Sequence, residues 1–386
     1  MEIRNKEKFE RTLLRLGIAM CLVLAGCEST QVKPPMPTGQ IDAKIKPDPV
    51  IAEASRVIEL NLGDSEAYYN RGNVYLLRQL FDQAILDYDK AIEINPGHAK
   101  AYNNRGLAYQ AKGDNIRAIL DFNKAVVINP SFGNAYYNRA NAYYNEQHYD
   151  YAVTDYSRAI AINPSDAEAY NNRGLAYEAK GQYEGAILDY NKAIEIRPQY
   201  AKSYRNRGVA YAAMGQYERA ILDYSKAIEI NPQFAEAYNN RGLAYYAQGR
   251  YDQAISDYNK AIEINPVYAK AYSNRGVAYK TKDQYSRAIS DYNKAIEVEP
   301  DYDGAYINRG AAYKDQGKYD LAIEDFTKAL EINTNNAKAY YNRALTYYYT
   351  RDYSKAWNDI SKAQSLGQYV HPGFLQELRN VSGIQG

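Results

Sequence analysis

The sequence predicts an all-α solenoid, a row of antiparallel helix pairs, and three observations lead there. Prolines stand at 96, 130, 164, 198, 232, 266 and 300, each 34 residues from the next, with Thr334 in the eighth place. Within a unit, one stripe runs through Tyr170, Gly174 and Tyr177 and a second through Ala186, Tyr190 and Ala193, both at helical spacing. Near-copies of Ala167 to Tyr200 fill the chain from Ser65 to beyond Ala337. Units repeated at such a period bury their faces against neighbours, so 386 residues need not mean several ordinary domains.

Composition removes several function classes. Lys and Arg total 47 against 46 Asp and Glu, which leaves no basic field to hold a nucleic acid. The 43 tyrosines recur at fixed places in the repeat and belong to its architecture. Cys21 and Cys27 are the only cysteines, which excludes a disulfide framework and a cysteine-based metal site. His98, His148 and His371 occupy unrelated places and read as isolated surface residues. With no Ser-His-Asp set, metal-ligand cluster or Gly-rich phosphate loop, the sequence points to no enzyme, metal or cofactor.

In chain order, Arg4, Lys6, Lys8, Arg11 and Arg15 precede an apolar run, LGIAMCLVLAG, from Leu16 to Gly26. About eleven such residues cannot span the hydrocarbon core of a membrane, but they match a signal-peptide core. Leu24-Ala25-Gly26-Cys27 resembles the lipobox of bacterial lipoproteins. The resemblance implies a signal peptide at 1–26, cleavage before Cys27, and acylation of Cys27 with enough chains, of the palmitate class, for stable anchoring. It also implies a bacterial cell-envelope location, with Glu28 favouring the outer membrane where there are two. The alternative is a cytosolic protein that buries this run as a helix. Residues 27–48 are polar and carry Pro34, Pro35, Pro37 and Pro47, which suits a tether.

Asp48-Pro49 looks like an N-cap with proline at the first helical position. Val50 to Leu62 aligns with Ala84 to Pro96, so residues 49–64 read as a half-repeat that caps the array at 65–370. In each unit the glycine at Gly174 admits the second helix closely, and Gly181, like Gly113, Gly215, Gly249 and Gly317, ends the first helix. Pro198 stops the second helix. After Pro372 the stripe Phe374, Leu375, Leu378 and Val381 predicts a capping helix within 371–386.

The places of Tyr170, Gly174, Tyr177, Ala186, Tyr190, Ala193 and Pro198 resemble the tetratricopeptide repeat (TPR) pattern over nine units. The last unit departs from it at Ala344, Ile360 and Gln368. The resemblance implies a right-handed superhelix whose first helices line a concave groove for proteins or peptides. The lysine, arginine and asparagine set of the family's two-carboxylate clamp is absent from consecutive units, which disfavours a Glu-Glu-Val-Asp-like ligand tail. Tyr69, Asn73, Tyr137, Asn141 and Tyr144 enrich the early groove in aromatic and amide groups, and Lys280 and Lys314 lie later.

Two columns exceed what packing requires. Asn70, Asn104, Asn138, Asn172, Asn206, Asn240, Asn274, Asn308 and Asn342 stand off the packed stripe, on the groove face, although asparagine is a poor helix-interior residue. Their amides can pair with an extended peptide, and the column resembles the asparagine ladder of the O-linked N-acetylglucosamine transferases. Alternatively each amide bonds within the solenoid, or the column reflects recent duplication.

The second column is the arginine at Arg173, Arg207 and their equivalents, where the family more often has leucine. It lies on the packed stripe and needs a partner. Asp189 and Asp223 recur with equal regularity, so Arg173 with Asp189 and Arg207 with Asp223 are expected as structural pairs joining helices or adjacent units. The chain is thus expected to be a non-enzymatic, membrane-tethered scaffold that binds extended peptide segments or envelope proteins in the concave groove, with assembly of an envelope complex as its setting. The alternatives are a regulatory subunit of an envelope enzyme and a self-associating solenoid, with the oligomeric state open.

Overall fold

The computed structural model describes residues 48–383. Cys27, the segment at 1–26, nearly all of the tether and the last three residues lie outside the described residues. Among the described residues there are twenty α-helices and no strand, which bears out the all-α reading. The described residues divide into two compact units, one ending at Gly181 and the other beginning at Gln182.

In the first unit α1 (Pro49–Leu60) precedes three helix pairs and the first helix of a fourth. The pairs are α2 (Ser65–Leu77) with α3 (Phe81–Ile94), α4 (Ala99–Ala111) with α5 (Asn115–Ile128), and α6 (Gly133–Asn145) with α7 (Tyr149–Ile162); α8 (Ala167–Ala179) follows. The second unit opens on a second helix, α9 (Tyr183–Ile196). Its pairs are α10 (Ala201–Ala213) with α11 (Tyr217–Ile230), α12 (Ala235–Ala247) with α13 (Tyr251–Ile264), α14 (Ala269–Thr281) with α15 (Tyr285–Val298), α16 (Asp303–Asp315) with α17 (Tyr319–Ile332), and α18 (Ala337–Tyr349) with α19 (Tyr353–Ser365). The unit closes on α20 (Pro372–Ser382).

In most pairs the aromatic ring of the second helix packs against a glycine of the first, while Ala140 takes that place opposite Tyr156. A Cβ on Gly72 would stand 2.7 Å from the Tyr88 ring, and one on Gly208 2.6 Å from the Tyr224 ring. In the last pair the glycine becomes Ala344 and the ring becomes Ile360, and both are fully buried in one cluster. The added methyl is matched by a smaller partner, as close packing demands.

First helices end in a left-handed residue. Gly113 (φ 81°) donates to Gln110 O at 2.9 Å while Asp114 donates to Tyr109 O at 2.9 Å, closing a Schellman turn. Four repeats make the same turn without glycine, at Gln79, Gln147, Asp283 and Arg351, with φ between 57° and 63°. At the other turn, Asn95 before Pro96 accepts from Gly97 N at 3.0 Å, an Asx turn that prepares the next unit.

Both ends are covered. Asp48 accepts from Val50 N at 2.9 Å and pairs with Arg78 at 2.7 Å, while Ala54 and Ile58 of α1 are buried. On α20, Leu378 is fully buried, with Phe374 and Leu375 packed beside it. The expected stripe stops there: Val381 is 44% exposed, on the last turn before Gly383 ends the helix. Among the described residues no helix is long and apolar enough to cross a membrane.

Candidate functional site

The arginine column builds the frame behind the first-helix face. Arg207 donates through Nε and Nη2 to the two carboxylate oxygens of Asp223, at 2.8 and 2.6 Å. Its Nη1 donates back to Asn191 Oδ1 on α9 at 2.6 Å, and its Cζ lies 5.5 Å from the Tyr204 ring centroid. One guanidinium thereby ties two successive second helices to the first helix between them.

The same fork joins Arg71 to Asp87, Arg139 to Asp155, and Arg343 to Asp359. Arg173, at the end of the first unit, donates to Ser157 Oγ at 2.9 Å and lies 5.5 Å from the Tyr170 ring centroid. Asp189 is buried on α9, in the second unit. Burial weakens the Arg207 guanidinium as a cation, but the hydrogen bonds and charge of Asp223 outweigh it and raise its pKa above the ordinary value. The pairing is bidentate and charge-assisted, and the acid is almost wholly desolvated.

The asparagine column lies in front of this frame and is bonded into it. Asn104 donates to Tyr69 Oη at 3.2 Å and to Asn73 Oδ1 at 2.8 Å, and Asn172 to Tyr137 Oη at 2.9 Å and Asn141 Oδ1 at 3.3 Å. Asn138 reaches Asn103, Asn274 reaches Asn239, and Asn308 reaches Ser273, at 2.9 to 3.1 Å. In each case the amide N–H points to the preceding repeat, so these amides brace adjacent repeats within each unit.

Three amides, Asn70, Asn240 and Asn342, depart from this arrangement among the described residues, and Asn206 adds a contact within its own helix. Asn206 is 5% exposed and accepts from Arg205 Nη1 at 2.9 Å. Asn240 accepts from Asn239 at 3.4 Å, Asn342 bonds its own helix at Lys338 O, and Asn70, on α2, is half-buried.

Within the second unit the first-helix face opens into a concavity of about 410 Å³. Asn240 and Asn274 line it, with Arg205, Glu236 and Lys270 and the rings of Tyr268 and Tyr302. Burial, helped by the charge of Glu236, pushes the Tyr268 hydroxyl up to about 12, so this wall stays neutral at physiological pH. The sequence reading missed Arg205, Tyr268 and Tyr302. The two tyrosines stand at helix N-caps outside the stripes, and Arg205 departs from its column.

One reading needs correction. His98 is not a surface residue: it is 9% exposed and stands at the N-cap of α4. Its Nδ1 accepts from Ala101 N at 3.3 Å, its Nε2 meets Glu66 Oε2 at 3.2 Å, and its ring lies 4.8 Å from that of Tyr69. The N-cap place is tucked against the preceding repeat, where other units carry Phe132 or Tyr268. His148 and His371 are exposed. Among the described residues no group of three metal-ligating side chains forms.

Comparison with known proteins adds the family. Tetratricopeptide repeat models match residues 65–98, 99–132, 235–268, 269–302 and 304–336, and a further one 326–358. A TPR repeat model matches 141–181, 179–215 and 210–249. Comparison with curated proteins gives no match. Among solved structures, a tetratricopeptide repeat protein from Parabacteroides merdae aligns with TM-score 0.55 and 22% identity, over 64% of this chain and 98% of that one. The APC/C hetero-tetramer Cut9-Hcn1 aligns with TM-score 0.54 and 16% identity, over 86% of this chain and 81% of that one. MamA is 30% identical over 45% of this chain and 94% of its own, with TM-score 0.41. Matched along most of its described length, the chain belongs to the tetratricopeptide repeat family, whose repeats build surfaces for protein and peptide binding.

Proposed function

We propose that this chain is a non-enzymatic scaffold that holds extended protein segments along its first-helix face while acylated Cys27 tethers it to a bacterial envelope membrane. One observation carries the binding part: in the second unit, ladder amides Asn240 and Asn274 line an open concavity together with charged and aromatic side chains. An amide that braces the neighbouring repeat through one N–H keeps a second N–H and a carbonyl lone pair for a peptide group. A rigid groove of this kind loses little entropy on binding. The lipobox resemblance at Leu24 to Cys27 supports the tether, with the outer membrane as the favoured address where two exist.

Two experiments test the two parts. A photoreactive amino acid in place of Leu243, which lines the concavity, is expected to trap a separate envelope protein in intact cells; crosslinks confined to the chain itself overturn the scaffold reading. A labelled palmitate analogue is expected to enter the wild-type chain and not Cys27→Ser, which should leave the membrane fraction. Labelling that survives the substitution overturns the anchor.

A further inference from the structure

Arg205 differs from every other arginine of the first helices in having an unused edge. In the other repeats its place holds an uncharged residue, such as Asn171, Asn239, Ser273 or Ile307. Its Nη1 donates to Asn206 Oδ1 at 2.9 Å, and its Cζ stands 5.9 Å from the Phe234 ring centroid. Its Nε is buried and has no acceptor among the described residues. An N–H taken out of water without an acceptor is costly, and a guanidinium N–H more so.

Two residues further on, Arg207 shows what the Nε and Nη2 edge of a guanidinium holds in this fold, a carboxylate gripped at 2.8 and 2.6 Å. Arg205 lines the same concavity as Lys270, with Tyr268 and Tyr302 as walls and Glu236 also on the lining. Two cations and one carboxylate leave that concavity singly positive. It fits one incoming negative charge and disfavours a second.

We propose that this concavity is a subsite for one acidic side chain of a bound extended peptide, gripped by the Nε and Nη2 edge of Arg205 and by Lys270. The proposal rests on the groove reading above and names the ligand chemistry of that groove. A small rotation of the Arg205 side chain brings the edge to the ligand, and the planar fork then makes two parallel bonds to the carboxylate. Glu236 sets the selectivity, because it repels a second acid placed beside the first.

The test uses the full-length chain in detergent and two fluorescent peptides of alanine and serine, one with a single central glutamate and one with glutamine there. The glutamate peptide is expected to bind about tenfold more tightly, with the advantage shrinking at high salt. Arg205→Asn, which installs the amide found at Asn171 and Asn239, is expected to abolish the preference and leave the melting curve unchanged. Glu236→Gln is expected to strengthen binding of the glutamate peptide.

Equal binding of the two peptides, or a preference that survives Arg205→Asn, overturns the acidic subsite while the groove reading stands. No binding of the glutamate peptide at millimolar concentration also overturns the subsite. The groove reading is then decided separately, by the crosslinks from position 243.

Discussion

Arg207 holds both carboxylate oxygens of Asp223, at 2.8 and 2.6 Å, while its third nitrogen reaches Asn191 on the preceding second helix. Asp223 is buried and Arg207 partly so, and each is the other's charge partner inside the stack. Removing one partner leaves the other desolvated and unpaired. Arg207→Leu and Asp223→Leu are each expected to cost about 3–5 kcal/mol, and the double substitution much less than their sum, because apolar replacement of a buried pair is often neutral. Denaturant unfolding of the four proteins checks this. A coupling energy near zero would remove the bracket as a determinant of the stack.

Residue Gln147 adopts φ 60° at the end of α6, where Gly215 and Gly249 adopt 73° and 74° in the equivalent turns. A left-handed β-carbon-bearing residue carries a cost of about 1–2 kcal/mol that glycine lacks, partly offset by the greater freedom of glycine in the unfolded chain. Gln79→Gly, Gln147→Gly and Arg351→Gly are therefore expected to raise stability by about 0.5–1 kcal/mol each. Asp283→Gly should gain least, since aspartate tolerates this region better. Thermal melting checks both the sign and the ranking.

The period, the helix pairs and the need of each arginine for an acid were legible because they recur, and recurrence separates a structural column from noise. What stayed hidden lies in departures from the column. Arg205 and the histidine at the α4 N-cap each occur once against a background of other residues, and the left-handed Gln79, Gln147, Asp283 and Arg351 break a column of glycines. Their chemistry depends on neighbours one repeat away that a single unit does not contain. The ladder was visible as a column, but its bonding was not: whether Asn104 faces a ligand or Tyr69 is decided by the rotation between successive repeats, which the sequence states only indirectly.

Asn104 shows how far the ladder is structural. It shares Asn73 Oδ1 with the buried hydroxyl of Tyr88, which donates to the same oxygen at 2.9 Å. Asn104→Ala removes a buried donor and acceptor and opens space beside Tyr69, and is expected to cost about 1–3 kcal/mol. Asn240→Ala, whose amide lines the open concavity, should cost less stability and weaken peptide binding more. Paired melting and affinity measurements separate the two. Equal effects of both substitutions on both readouts would deny any division of labour along the column.

Tyr156 and Tyr292 occupy the same place in their repeats, but only one hydroxyl is satisfied. Tyr156 donates to Asn141 Oδ1 at 2.5 Å, whereas the Tyr292 hydroxyl is buried without a partner among the described residues, because Val277 stands where Asn141 does. Phenylalanine already fills this place at Phe122 and Phe326. Tyr156→Phe is expected to cost about 1 kcal/mol by leaving Asn141 Oδ1 with only the longer bond from Asn172, and Tyr292→Phe to be neutral or to stabilise by up to about 1 kcal/mol. Alkaline titration gives an independent readout. Burial first, and the charge of Asp291 second, hold the Tyr292 hydroxyl above its ordinary pKa. Below about pH 10 it is neutral folded and unfolded; above it the unfolded chain loses the proton while the folded chain keeps it, so stability falls as pH rises. Tyr292→Phe should flatten that fall, and an unchanged slope would show that this hydroxyl is not held neutral by the fold.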